Sequence, residues 1–236
     1  MIKEALKYVV GLSVPVVQEI KGQQYSDKQL HRINHNPQAS SIQMGTLTSF
    51  VDYIRANIDS MSDKMIVHVE SPTKVSLYSQ LDAEREREYL VNVVARVPEF
   101  RFNQFIDHEE FLINLQSKFI DSGDRGLVLK FAGTVEDKSV AEYGDDGVTQ
   151  KATVKNGIAS KTEAIIPNPV NLAPYRTFLE VAQPLSDFVF RMKSERGIQC
   201  AIFEADGGAW KNEAMQNIKN YLRDELEDLD QFTVIS

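Results

Sequence analysis

Three successive runs, "MIVHVE" (65–70), "KVSLYSQ" (74–80) and "YLVNVVARV" (89–97), constrain this chain most. Each is rich in Val, Ile, Leu and Tyr, the residues that suit a pleated, half-buried surface. Only "SPT" and "LDAERERE" separate them. Strands joined by such short links fold back on one another, so the runs predict an antiparallel meander.

The meander has helical neighbours. In "TLTSFVDYIRANIDSM" the apolar residues Leu47, Phe50, Val51, Ile54, Ile58 and Met61 recur at helical spacing, with Thr46 or Thr48 as the N-cap. "DHEEFLINLQSKFID" reads as a helix capped by Asp107, with Glu110 completing a capping box and Phe111, Leu112, Leu115 and Phe119 as the buried stripe. The acids around His108 are accounted for by the helix dipole rather than by a metal. A final helix is expected from about Ala209 to Leu229, then a last strand in "FTVIS". Residues 127–138 fit a short helix or a strand. Further on, Asp146-Gly147 reads as a turn, Val148 to Lys155 as a strand and Asn156-Gly157 as another tight turn, and "FVFRMKSERGIQCAIFE" repeats the pattern with its turn at Ser194 to Gly197. The expected fold class is α+β: a mainly antiparallel sheet with flanking helices and an extended N-terminal arm. The arm, residues 1–45, holds a short helix at Ile2 to Leu12 and a polar stretch with little periodicity. Residues 46–236 form the single α+β domain.

The chain has 236 residues, long enough to bury a core without metal or disulfide. Its one cysteine, Cys200, sits in the apolar run "IQCAIFE" and reads as a small core residue. The formal net charge is −8. From Glu204 to Ser236 there are eight acids against three bases. Phosphates must be neutralised by Lys and Arg, so general nucleic-acid binding is not expected. Lys3, Glu4, Lys7 and Pro15 interrupt the N-terminal apolar stretch, so neither a signal peptide nor a membrane span is expected.

The chemical templates fail on residue identity. "AIFEADGGAWKNEAMQNIKNYL" has the strand, glycine loop and helix of a phosphate site. But Ala209 and Trp210 follow Gly208 where a P-loop needs Lys and Ser or Thr, and Glu204 and Asp206 would repel phosphate. The stretch reads instead as a strand-to-helix turn in which Asp206 caps and Trp210 anchors. Glu204 and Asp206 are weak candidates for a divalent cation, and His31 with His35 lacks a third zinc ligand. No catalytic set converges, and no cofactor is expected. The alternating run Glu84, Arg85, Glu86, Arg87, Glu88 is a solvated turn or a projecting hairpin that pairs charges across a subunit contact. In "PNPVNLAPYRTFLEVAQPLSDFVFR" four prolines fix an extended strap, anchored by Tyr175, Phe178 and Phe188. Arg176 there either pairs with Glu180 or grips an anion.

"DDGVTQKATVKNG", "PYRTFLEVAQPLSDFVFR" and "FEADGGAWKNEAMQNIKNYL", with "VPEFRFNQFIDHEEF", together resemble the YfdQ-like family of phage and prophage proteins. The resemblance spans roughly residues 45 to 225. It implies a phage or prophage gene expressed in a bacterial cytoplasm, and it supplies no catalytic residue. The leading expectation is a non-enzymatic accessory protein that self-associates, in an assembly or structural role such as a ring or shell. Its partner is then a copy of itself; a nucleotide or a host protein is the other possible partner. The alternative is an early phage binding module that sequesters a nucleotide signal or assists DNA recombination. Arg176, Arg191 and Arg196 would then be its first anion contacts.

Overall fold

The computed structural model describes residues 2–29, 38–134, 144–145, 150–156, 160–193 and 197–236, with side chains omitted for 144–145 and 150–165. The chain divides into two compact units, Met1–Gln38 and Ala39–Ser236. The first holds helix α1 (Ile2–Gly11) and the antiparallel hairpin β1 (Val17–Ile20) and β2 (Gln23–Ser26). No residue of α1 is buried, and both strands are exposed throughout.

The second unit begins with β3 (Ile42–Met44), α2 (Leu47–Ala56), β4 (Met65–Ser71), β5 (Lys74–Ser79) and β6 (Tyr89–Val94). Strands β4, β5 and β6 form the expected antiparallel meander. β3 pairs parallel to β6, which places residues 42–44 in the sheet of this unit. The chain continues with β7 (Ile106–Asp107), α3 (His108–Ser117), α4 (Arg125–Thr134), β8 (Gly144–Asp145), β9 (Gln150–Asn156), β10 (Ser160–Ile166), β11 (Val170–Leu172), β12 (Ser186–Lys193), β13 (Gln199–Glu204), α5 (Trp210–Glu225) and β14 (Phe232–Ile235). The sheets run β14-β4-β5-β6-β3, β11-β12-β13-β7 and β10-β9-β8. Pairing is antiparallel except at β14–β4 and β3–β6, so the class is α+β with mixed sheets. Among the described residues no helix is long and apolar enough to cross a membrane.

Alternation along the strands builds two cores. Met65, Val67 and Val69 face inward from β4 and meet Phe50 and Ile54 of α2 and Ile218 and Leu222 of α5. Phe188, Phe190 and Met192 of β12 face a second core with Phe111 and Leu115 of α3 and Val128 and Phe131 of α4. The strap between β11 and β12 leaves the second core and lays Phe178 and Val181 into the first. The extended strap therefore joins two cores.

Local signals fare unevenly. Thr46 caps α2, its side chain accepting from the Ser49 amide at 3.1 Å. The helix stops before Ile58, which is 74% exposed: Asn57 turns left-handed (φ 44°), and its side chain takes the Met61 amide at 2.7 Å. Asp107 caps α3 as expected, accepting from the Glu109 amide at 2.9 Å. Glu110, however, pairs with Arg101 rather than closing a capping box. Of the ambiguous residues 127–138, those up to Thr134 belong to helix α4, and 135–138 lie outside the described residues. The expected turns at Asp146-Gly147, at Gly157 and at Ser194 to Arg196 lie outside the described residues, as do His31 and His35.

Candidate functional site

The strap delivers Arg176 to the end of β13. The guanidinium is buried, with Nη1 donating to Glu204 at 3.0 Å and Nη2 donating to the Ser186 hydroxyl. Its face lies 3.9 Å from the Trp210 ring centroid, and Phe188 is 5.5 Å away. Such stacking over a partly desolvated aromatic is favourable. Burial pulls the Arg176 pKa down to about 10, against the opposing charges of Glu204 and Asp206. Gln183 holds the backbone around it, accepting from the amides of Arg176 and Thr177 at 3.0 and 3.1 Å.

Glu204 and Asp206 thus meet at one corner together with Arg176, but each is already engaged. Asp206 accepts from the Gly208 amide at 2.9 Å and the Trp210 amide at 3.3 Å. Burial by itself would raise the Asp206 pKa. Those two amides, the Ser186 hydroxyl and Arg176 outweigh it and hold the carboxyl below its usual range. Gly207 and Gly208 are both left-handed, at φ 64° and 85°, and an added Cβ at either meets nothing within 4 Å. The glycines serve the turn, then, and no close approach of another group requires them. The amides that would cradle a phosphate are taken by Asp206. Among the described residues, no three or more His, Cys, Asp or Glu side chains gather as a metal site.

The other candidates are dispersed. Glu180 does not pair with Arg176. Its carboxylate accepts from the Thr48 amide at 3.1 Å, at the first turn of α2, because the strap carries it across to the first core. It borders a 330 Å³ cleft with Thr46, Arg96 and Thr177. Arg191 lies on β12 and donates to the Phe190 carbonyl at 3.1 Å; Arg196 is outside the described residues. Cys200 is fully buried, and burial pushes its thiol up to about 12, with the Asp107 charge adding to the effect. That setting favours the neutral thiol over the reactive thiolate.

The charged run sits in the β5–β6 connection. Asp82 organises it, accepting from the amides of Glu84 and Glu86 at 2.9 and 2.8 Å, with Arg85 left-handed at φ 64°. Arg87 donates to the Ser79 carbonyl at 2.8 Å, and Glu88 accepts from the Ala39 amide at 3.3 Å. Beside this loop lies a groove of about 520 Å³. Met61, Met65, Leu81 and Leu90 supply its apolar surface. Asp59, Asp63, Asp82 and Glu88 line it as well, and among the described residues no Lys or Arg does. Motif reading missed this groove, because its acids are scattered along 30 residues. The signal was present in the meander itself: the entry of β4, the exit of β5 and the entry of β6 share one end of the sheet, as the Met65–Ser79 and Tyr78–Tyr89 pairings require.

Comparison with protein-family models, with curated proteins and with solved structures gives no match for this chain.

Proposed function

We propose that this protein is a non-enzymatic accessory protein of a phage or prophage whose working state is a homo-oligomer. The phage assignment rests on the resemblance of the quoted segments to the YfdQ-like family. Self-association is supported by one observation above all. Eleven of the twenty-one exposed large apolar side chains among the described residues lie between Ile2 and Tyr25, so the apolar exposure is concentrated in the first unit. Apolar exposure gathered in one short stretch of chain favours a surface used for interaction. A short helix and a lone two-stranded hairpin are each marginal in water without such cover.

The nucleotide-binding alternative has less support. Arg176, the first anion contact it needs, is buried and already ion-paired with Glu204. Light scattering and native mass measurement of the full chain at micromolar concentration test the proposal. A stable oligomer of defined mass is expected; a monomer removes this reading.

A further inference from the structure

The geometry points to helix α1 of one copy seated in the acidic groove of a second copy, as the contact through which the protein self-associates. This inference rests on the self-association proposed above and names its surface.

The helix is built for one face. Ile2, Ala5, Leu6 and Val9 recur at i, i+3, i+4 and i+7, the anchor spacing of a helix that lies in a groove. Ile2, Leu6 and Val9 are 81%, 59% and 61% exposed, so the hairpin of their own unit leaves that face uncovered. Lys3 and Lys7 fall beside it at i and i+4. The groove is complementary in both respects: an apolar floor that includes Met61 and Leu90, and a rim of four carboxylates. Its basic sequence neighbours, Lys64 and Arg87, do not line it. At about 520 Å³ it lies within the roughly 300–1,000 Å³ of ordinary binding pockets. That is room for the side chains of one helix face rather than for the helix itself.

Charge selects the occupant. The first 38 residues hold five bases (Lys3, Lys7, Lys21, Lys28, Arg32) against three acids (Glu4, Glu19, Asp27), a net +2. The chain as a whole is −8, so residues 39–236 carry −10. A basic helix is drawn to the acidic body of another copy. An anionic lipid surface would attract Lys3 and Lys7 but repel that body. The contact is heterologous, a helix given and a groove received. Two copies can therefore exchange helices reciprocally, or more copies can close a ring.

The test uses full-length protein. Leu6→Asp and Lys7→Glu alter the helix. Asp63→Lys alters the groove at a carboxylate with no hydrogen bond or ion pair among the described residues. Sedimentation and native mass spectrometry read the dissociation constant, and circular dichroism melts confirm that each variant is folded. Each single variant is expected to weaken association at least tenfold. Lys7→Glu combined with Asp63→Lys is expected to restore it to within about threefold of the parent. Oligomers that ignore all three single changes would overturn the groove while leaving self-association intact. So would a double variant that fails to recover. Helix variants that lose binding to anionic vesicles with unchanged mass would assign α1 to a membrane and also overturn the inference. A monomeric parent protein would overturn the inference and the proposed function together.

Discussion

Asp206 illustrates how a residue that looks chemical can be structural. Its carboxylate holds the amides that open α5, and its pKa is depressed in the folded state. A depressed carboxylate contributes stability above the unfolded-state pKa, near 3.9 for Asp, and loses it as pH falls through the folded value. The N-cap position of α5 is Ala209, which makes no side-chain cap bond, and Asp206 holds the turn ahead of it; Asp206→Ala is expected to cost about 1 kcal/mol at pH 7, the usual net worth of a hydrogen bond. In urea titrations the difference from the parent should hold steady down to about pH 5 and shrink below about pH 4. A difference independent of pH would mean that the charge does not matter. The local role of Asp206 was legible, because Asp before two glycines and an apolar helix is a stop-and-start signal. The nearby charge of Arg176 was not, since 30 residues separate the two and only the path of the strap brings them together. A separation of 132 residues hid the Glu180 contact with Thr48, which replaced the nearer pairing with Arg176.

At the scale of elements, periodicity carried most of the fold. The meander, α3 and α5 follow from runs of apolar residues whose spacing matches strand or helix. The parallel placements of β3 and β14 do not, because neighbours across a sheet are set by tertiary packing rather than by local sequence. One junction between elements makes a sharp test. Gly123, between α3 and α4, is left-handed (φ 55°), and a Cβ there would collide with the Asn171 carbonyl oxygen and press on Leu185. The next residue, Asp124, donates its amide to that same carbonyl at 2.8 Å and accepts the Asn171 amide at 2.8 Å. Gly123→Ala therefore combines an unfavourable backbone angle with a clash against the Asn171 backbone, which its two bonds to Asp124 hold in place. A loss of more than about 2 kcal/mol in chemical denaturation is expected. An unchanged midpoint would show that β11 shifts freely against the helices.

For the whole molecule, the strap decides how the second unit behaves. Phe178 is 1% exposed inside the first core, although the strands on either side of it, β11 and β12, belong to the second. Phe178→Ala is expected to destabilise by about 3–5 kcal/mol, the usual range for emptying a buried aromatic site. Calorimetry should register one transition for residues 39–236 in the parent. A variant that melts in two steps would show that Phe178 is what couples them. A chain sutured in this way has a consequence for its inheritance. Neither half can be traded for a foreign counterpart without pulling the stitch from the other. Recombination between genomes would therefore be expected to pass on residues 39–236 as one block.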